Sequence, residues 1–265
     1  MSTTTAQHPV ALRETLLQGK QELLAKFADA APISLRAGNE FPGAVAGQNR
    51  VYRLQNGWAC QYAELPEDKR VIVDVYLPGD FIGLDAAFKV RPVKNVLALT
   101  SIEAQMADAR TLLSDAITSP STMLFVGWLL AHRQWRADRL LAAVSGCDAR
   151  GRLATMVLDL HNRLRSRKLI TTVTFLLPLT QQHIGEYLGL TEVHVNRVLK
   201  ALRTERIACL ERHCLTILDM PRLVLLTRKR VMPAVASDVG EPPPSKVSHA
   251  IYENTDISSS LTAPV

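Results

Sequence analysis

The stretch LPLTQQHIGEYLGLTEVHVNRVLKALRTERI, residues 177–207, holds two short helical patterns on either side of a single Leu-Gly-Leu. Thr180 can cap the first helix, because its hydroxyl can accept a hydrogen bond from a free amide in the first turn. Gly189 supplies the left-handed backbone conformation that lets the chain turn sharply. Thr191 can then cap the second helix. The stretch therefore predicts two helices joined by a tight glycine turn.

The second of these helices separates its residues into two faces. Apolar residues at helical spacing predict a buried face of Val195, Val198, Leu199 and Leu202. The opposite face is polar and basic and carries Val193, Asn196, Arg197 and Lys200, with Glu192 and Arg203 at its edge. Such a pair is typical of a helix-turn-helix, in which one helix braces another in the major groove of DNA. The alternative is an ordinary helical hairpin with a solvated charged face.

The outer face of the second helix carries side chains that suit the edges of DNA bases. Arg197 can reach guanine O6 and N7 together, and Asn196 can pair with adenine N6 and N7. Glu192 can accept a hydrogen bond from cytosine N4, and Val193 can contact a thymine methyl group. We therefore expect these four residues to contact bases.

A second group of residues suits phosphates, which position a protein on DNA without reading the sequence. Two apolar runs between Ile207 and Leu218 predict a hairpin wing with Arg212 and His213 near its tip. His213 is explained equally well as an exposed turn residue. The expected phosphate contacts are Thr180, Gln181, Lys200, Arg203 and Arg212.

The positive charge of the chain is concentrated in the same region. The net charge is +6, and residues 148–230 hold 15 Lys or Arg against 7 Asp or Glu, a balance of +8. The residues before 148 balance at +1 and those after 230 at −3. A basic block within one domain indicates a polyanionic partner, and the helix pair predicts that this partner is double-stranded DNA.

The rest of the chain predicts an α+β fold. Residues Arg13 to Ala28 suit a helix. From Ile33 to Met106, short strand patterns alternate with turn signals such as Asn56-Gly57, which predicts an antiparallel roll or sandwich. Ser121 to Ser145 then suits one long helix, and Ala149 to Arg165 suits a second.

The long helix carries an apolar stripe that suits a partner helix. Leu124, Trp128, Ala131 and Trp135 follow one another at spacings of four, three and four, as in a coiled coil about three turns long. Asp138 continues the stripe and is costly at a tight seam unless it is paired or solvated. We expect a parallel homodimer, because one short recognition helix reads only a few base pairs. Alternatively, the tryptophans cover their own roll.

Composition limits the other classes of function. The apolar run Met123 to Ala131 falls short of the roughly 20 residues that cross a bilayer, and MSTTTAQHPV lacks the features of a secretory signal. We therefore expect a cytoplasmic protein with no membrane partner. The segment Cys209 to Cys214 offers only three candidate metal ligands, so we expect no metal site. An oxidation-sensitive thiol stays open among Cys60, Cys147, Cys209 and Cys214.

Two motifs together resemble the Crp/Fnr family of bacterial transcription regulators. LTQQHIGEYLGLTEVHVNRVLKALR, residues 179–203, is similar to the family's DNA-reading motif, and PGDFIGL, residues 78–84, is similar to its β-roll turn. The resemblance covers about residues 12–230. By position, Glu192, Val193, Asn196 and Arg197 fall where the family contacts bases, and Val193 stands where many members have glutamate.

The family architecture implies an N-terminal antiparallel β-roll with flanking helices, a long dimerisation helix and a C-terminal winged helix-turn-helix. The expected segments are an N-terminal tail (1–11), a cyclic-nucleotide-binding-like β-roll domain (12–120), the dimerisation helix (121–147), the winged helix-turn-helix domain (148–230) and a tail (231–265). The composition of that last segment, which includes a triple proline and many Ser and Thr, predicts disorder.

The effector pocket that the resemblance implies departs from nucleotide-responsive members. Where they carry a ribose-holding glutamate, this chain has Leu84, followed by Asp85. Lys94-Asn95 replaces their phosphate-binding Arg-Ser or Arg-Thr pair, and Ala137 and Asp138 replace the small hydroxyl residues that meet the base. A cyclic phosphodiester needs a fixed cation and amide donors, and a ribose needs an acceptor. We therefore expect no bound cyclic AMP.

The cysteine and histidine residues of the chain do not indicate the other cofactors of the family either. The oxygen-sensing branch holds an iron–sulfur cluster on N-terminal cysteines, and no cysteine precedes Cys60 in this chain. We expect no such cluster. His132 and His8 give no specific support for the haem-dependent branch.

The residues and the resemblance together predict a sequence-specific regulator that binds a palindromic site as a homodimer and recruits or blocks RNA polymerase. Without a small effector, its own abundance or a thiol would control it. No Ser-His-Asp group, carboxylate pair or glycine-rich phosphate loop indicates an enzyme. The alternative function is an effector-sensing or protein-interaction module whose helical domain does not bind DNA.

Overall fold

The computed structural model describes residues 7–42, 50–67, 69–88 and 95–228. Lys94, the expected C-terminal tail 231–265 and the first six residues lie outside the described residues. Within the described ranges, no helix has both the length and the apolar character that a bilayer span requires.

The N-terminal region forms two antiparallel sheets that enclose a common core. The strands are β1 (Ala31–Leu35), β2 (Arg50–Asn56), β3 (Ala59–Leu65), β4 (Lys69–Tyr76), β5 (Phe81–Ile82), β6 (Asn95–Ala98) and β7 (Ile102–Asp108). One sheet has the order β1-β7-β2-β5 and the other β4-β3-β6. Tyr52 and Ile102 of the first sheet pack with Tyr76 and Val96 of the second in one buried cluster. This is the β-roll that the turn signals and the family resemblance predict.

The helices around the roll differ in part from the prediction. The first helix, α1 (Gln7–Ala25), begins six residues before the predicted start at Arg13 and so takes in part of the expected N-terminal tail. Pro9 does not prevent this, because amides in the first turn of a helix have no partner within the helix. Two short helices, α2 (Leu84–Ala87) and α3 (Ala109–Ile117), were not predicted.

The long helix α4 (Pro120–Gly146) agrees with the prediction to within one residue at each end. Glu22 of α1 lies at its N-terminus, where its carboxylate accepts hydrogen bonds from the hydroxyls of Ser119, Ser121 (2.8 Å) and Thr122 (2.7 Å). These hydrogen bonds, Ser119 first, lower the pKa of Glu22 to about 2. The carboxylate therefore fastens α1 to the start of α4.

The C-terminal region is a winged helix-turn-helix. Its elements are α5 (Ala149–Ser166), β8 (Thr174–Leu176), α6 (Gln181–Leu188), α7 (Glu192–Thr204), β9 (Ala208–Glu211), β10 (Cys214–Ile217) and α8 (Met220–Arg228). The predicted hairpin wing is formed by β9 and β10, and β8 pairs with β10 as a third strand that was not predicted. The final helix α8 was not predicted either.

The helix-turn-helix packs directly on the roll of the same chain. Trp58 and Ile72 of the roll share one buried apolar cluster with Ile184 and Leu188 of α6. Helix α6 therefore contacts both β4 of the roll and α7.

Candidate nucleic-acid interface

The turn between α6 and α7 has the geometry that the sequence predicts. The Thr180 hydroxyl accepts a hydrogen bond from the His183 amide (3.1 Å), and His183 Nδ1 accepts one from the Thr180 amide (3.4 Å). Gly189 ends α6 with φ 64° and ψ 44°, the left-handed conformation. Thr191 then caps α7 by accepting from the His194 amide (3.3 Å).

Two further residues, which no local sequence pattern indicates, determine how closely the helices approach. A Cβ atom at Gly185 would lie 2.5 Å from the Leu190 carbonyl oxygen, so only glycine lets the turn pass this close to α6. Arg152 of α5 donates hydrogen bonds to the carbonyls of Leu188 (3.2 Å) and Gly189 (3.5 Å) at the C-terminus of α6. A cation at this end of a helix is favourable, because the last carbonyls lack partners within the helix.

Helix α7 buries the face that its spacing predicts. Val195, Val198 and Leu202 are buried, and Leu199 is half-buried against the same cluster.

The opposite face of α7 is open to solvent. Val193 is 70% exposed, Glu192 and Arg197 are exposed, and Asn196 is half-buried. Among the described residues, no side-chain hydrogen bond or ion pair engages Asn196 or Arg197. The exposed side chain of Val193 provides a methyl surface on this polar face. The four expected base-reading residues therefore lie on an outer surface of the domain.

The expected phosphate contacts surround this face. Thr180, Lys200 and Arg212 are exposed and Gln181 is half-buried. Arg203 is also exposed, but its Nη2 lies 2.9 Å from Glu211 Oε1 in the wing. Both partners of this ion pair are more than half exposed, so water screens it and it contributes little to stability. Arg203 is therefore free to exchange its partner for a phosphate.

The wing turn places two residues in left-handed backbone conformations. Arg212 has φ 49° and His213 has φ 62°, as in a two-residue hairpin turn. The His213 carbonyl accepts a hydrogen bond from the Leu177 amide (2.7 Å), which attaches the wing to the segment before α6. The turn thus holds the Arg212 side chain at an exposed tip.

An ion-pair network secures the C-terminal end of α7. Arg150 of α5 donates to Glu205 (2.5 Å), and Arg222 of α8 lies 3.6 Å from the same carboxylate and donates to the Glu205 carbonyl (2.9 Å). The hydrogen bond from Arg150 lowers the pKa of Glu205. Because the partners come from three helices, no local sequence pattern indicates the network.

Two residues of the expected effector pocket, Leu84 and Asp85, contact the long helix α4 of the same chain. Leu84 is buried in an apolar cluster with Phe125 and Val126 of α4. Asp85 lies 3.9 Å from Arg133 of α4. Leu84 and Asp85 are therefore both engaged in contacts with α4.

Of the other three residues of the expected effector pocket, the two that the structure describes take no part in the contact between Leu84 and α4. Asn95 is half-buried in β6. Asp138 is exposed on α4, where it accepts a hydrogen bond from Gln134 (2.8 Å). Lys94 is outside the described residues.

The apolar stripe of α4 is divided between the roll and solvent. Trp128 is half-buried and stacks on Phe125, with ring centroids 5.8 Å apart. Leu124 is 41% exposed and Trp135 is 39% exposed, and Ala131 is exposed between them. Trp128 thus covers its own roll in part, while the other three residues present an apolar surface to solvent.

The cysteines do not form a cluster. Cys60 is buried, and burial raises the pKa of its thiol to about 12. In the described residues, no group of three His, Cys, Asp or Glu side chains is arranged to hold a metal ion.

Comparison with known proteins identifies relatives of both domains. Residues 151–226 match the model of the Crp-like helix-turn-helix domain. The chain is 26% identical over 173 residues to the transcriptional regulatory protein btr of Bordetella pertussis. This match spans 65% of this chain and 71% of the relative. It is 27% identical over 181 residues to an anaerobic regulatory protein of Pasteurella multocida, with coverages of 68% and 65%.

A solved structure supports the same fold. FixK2 from Bradyrhizobium japonicum superposes with a TM-score of 0.69 at 24% sequence identity, over 76% of this chain and 99% of that one. At this identity the likeness concerns the fold: the roll, the long helix and the winged domain follow one another in the same architecture.

Proposed function

We propose that the chain is a DNA-binding transcription regulator of the Crp/Fnr type, which reads a palindromic site as a homodimer without bound cyclic AMP. It is a regulator and not an enzyme. The observation that carries the proposal is the solvent-exposed face of α7, which presents Val193 and Arg197 beside Asn196 and Glu192.

The base contacts follow from the chemistry of that face. Arg197 donates two hydrogen bonds to a guanine, and Asn196 pairs with an adenine. Val193 contacts a thymine methyl group, where a glutamate would instead accept from cytosine. The half-site of this chain therefore differs, at the base pair facing Val193, from sites read by members that carry glutamate there.

The phosphate contacts set the affinity and its dependence on salt. Lys200, Arg203 and Arg212 flank the reading face, and each phosphate that they neutralise releases counterions from the DNA. Arg203 leaves Glu211 when it meets a phosphate, at a small cost because the ion pair is exposed.

Dimerisation through α4 gives the protein two reading helices. Leu124, Ala131 and Trp135 are exposed in the single chain, and a parallel copy of α4 would cover them. Two copies on one face of a duplex read half-sites about 34 Å apart. Bound at a promoter, such a dimer recruits or blocks RNA polymerase.

The residues around the roll do not fit a cyclic nucleotide. Leu84 gives a ribose hydroxyl no acceptor, and Asp85 is already directed at Arg133. Cys60 is equally unsuited to ligate a cluster, because a metal needs the thiolate and burial disfavours it. Control by the amount of protein is therefore consistent with these residues.

Site selection followed by fluorescence anisotropy tests the proposal. Duplexes bound by the protein are selected from a random pool, with and without cyclic AMP and reductant. Affinities of the wild type and of Arg197→Ala are then measured on the selected and on random duplexes. Arg165→Ala, which removes an exposed arginine of α5 outside the reading face, is the matched control.

We expect Arg197→Ala to lose the preference for the selected site over random duplexes, and the wild type and Arg165→Ala to keep it. A wild-type protein that gives no anisotropy change at low salt would instead support the module that does not bind DNA.

A further inference from the structure

Asp80 of the β-roll turn connects two parts of the fold. Its Oδ2 accepts a hydrogen bond from the Leu77 amide (2.7 Å), which closes the turn between β4 and β5. The same oxygen accepts from Arg163 Nη2 (2.6 Å), and Oδ1 accepts from Arg167 Nη2 (2.7 Å). Both arginines belong to the C-terminal end of α5, in the DNA-binding domain.

The two arginines also bind the backbone of the same turn. Arg163 Nη2 donates to the Val75 carbonyl (2.8 Å), and Arg167 Nη1 donates to the Pro78 carbonyl (2.9 Å). The side chains of Asp80, Arg163 and Arg167 are all at most 12% exposed. We call these three residues the Asp80 clamp.

Charge stabilises this arrangement in its ionised form. Burial alone raises the pKa of Asp80, but the guanidinium groups of Arg167 and Arg163 outweigh it and hold the pKa well below its usual range. The carboxylate therefore stays ionised through the physiological pH range.

The clamp lies at the end of α5 opposite its junction with α4, and there Arg136 of α4 also helps to lower the pKa of Asp80. At its N-terminal end, α5 is joined to α4 through Cys147 and Asp148, which are extended. The 18 residues of α5 span about 27 Å, so the clamp is a second attachment roughly that far from the first. Two attachments at opposite ends fix the direction of a helix, which a single extended link does not.

Helix α4 is itself held on the roll by a similar pair. Asp74 of β4 lies 3.2 Å from Arg133 and 3.4 Å from Arg136, both on α4. The roll therefore holds both α4 and α5 through charged side chains, and the ion pairs at Asp74 and Asp80 constrain the angle between the two helices.

The apolar contacts between the domains hold them together without setting this angle sharply. Trp58 and Ile72 pack with Ile184 and Leu188, but hydrophobic contact is non-directional. Hydrogen bonds between guanidinium and carboxylate groups depend strongly on geometry. The clamp thus specifies an orientation, which the apolar contacts alone do not.

We infer that Asp80 is a positioning residue for DNA recognition, which fixes the direction of α7 relative to the dimer helix and so the half-site spacing that the protein accepts. The inference rests on the proposed homodimer. Because α7 packs on α5, a change in the direction of α5 carries the reading face with it. Asp80 touches no DNA and acts through Arg163 and Arg167.

A spacing series tests this role. The selected half-sites are placed at their native spacing and with one or two base pairs added or removed, and dissociation constants are measured by anisotropy. One added base pair rotates the second half-site by about 35°. The proteins are the wild type, Asp80→Asn, Arg167→Gln and the double variant. Lys69→Gln, which breaks an exposed ion pair within the roll, is the control.

Discrimination is the ratio of the dissociation constant at an altered spacing to that at the native spacing. We expect the wild type and Lys69→Gln to have the same high ratio. In Asp80→Asn and in Arg167→Gln, this ratio should fall at least about threefold. The double variant should lose no more than Asp80→Asn alone, because Asp80→Asn already disrupts the ion pair between Asp80 and Arg167. Partial unfolding lowers binding equally at every spacing and leaves the ratio unchanged. Arg167→Gln carries the test if Asp80→Asn does not fold.

The outcomes separate the inference from the function on which it rests. A wild type that discriminates, together with variants that discriminate equally well, would overturn the inference and leave the homodimer intact. A wild type that binds every spacing alike would overturn both. Variant effects that add in the double variant would show two independent contacts and overturn the clamp.

Discussion

Replacing Gly185 by alanine tests how closely α6 approaches the turn that leads into α7. The new Cβ would lie 2.5 Å from the Leu190 carbonyl oxygen, whereas ordinary contacts begin at 3.4 Å. The turn must therefore move by almost 1 Å, against a backbone atom that cannot rotate away. That movement also strains the hydrogen bond from the Leu190 amide to the Gly185 carbonyl (3.0 Å).

The expected magnitude combines three effects. Overpacking costs about 1–3 kcal/mol, and a weakened hydrogen bond costs up to about 1 kcal/mol. Alanine is the better helix former by about 0.8–1 kcal/mol, which offsets part of the loss. We expect the free energy of unfolding to fall by up to about 3 kcal/mol. DNA affinity should fall as well, because α7 is displaced.

Denaturant unfolding and anisotropy titration measure the two effects. Gly146→Ala is the matched control, because nothing lies within 4 Å of a Cβ at the end of α4. A Gly185→Ala protein as stable as the control variant, with unchanged DNA affinity, would refute the tight approach of the two helices.

Three other predictions follow from single contacts. Arg197→Ala should weaken binding to the selected site by about 1–3 kcal/mol and leave random DNA nearly unaffected; equal losses on both would contradict a base contact. Lys200→Gln should lower the slope of log affinity against log salt by about 1 without changing the selected site. Because the folded-state pKa of Glu22 is depressed to about 2, the stability it contributes is present above pH 4.5 and is lost as the pH falls towards 2. The difference in stability between wild type and Glu22→Gln should therefore shrink over that range, and a difference independent of pH would contradict the role of Glu22.

Local contacts explain what the sequence predicts well. The caps at Thr180 and Thr191 and the left-handed Gly189 each involve partners within a few residues, so residue type and spacing indicate them directly. The buried face of α7 follows from helical periodicity for the same reason. These features are enough to recognise the helix-turn-helix and to identify its outer face.

Distant contacts explain what the sequence does not predict. Asp80 meets Arg163 and Arg167 across 83 and 87 residues, and Glu22 meets Ser119 across 97. No periodicity relates such positions, and each residue alone reads as a turn or surface residue. The strand β8 is not predicted from the sequence, because its three residues are too few to show the alternation of buried and exposed side chains that marks a strand.

The apolar stripe of α4 is predicted in part from the sequence. Spacing alone places Leu124, Trp128, Ala131 and Trp135 along one stripe of α4, but it does not divide them between the roll and a partner. That division depends on Phe125, which buries against the roll and stacks with Trp128.

The most direct test of α7 as the reading helix is a change of specificity at Val193. Sites selected by the wild type and by Val193→Glu are sequenced and compared base pair by base pair. If the exposed face of α7 lies in the major groove, the preference changes from thymine towards cytosine at one position in each half-site and stays the same elsewhere. Identical selected sites for the two proteins would contradict that placement of α7.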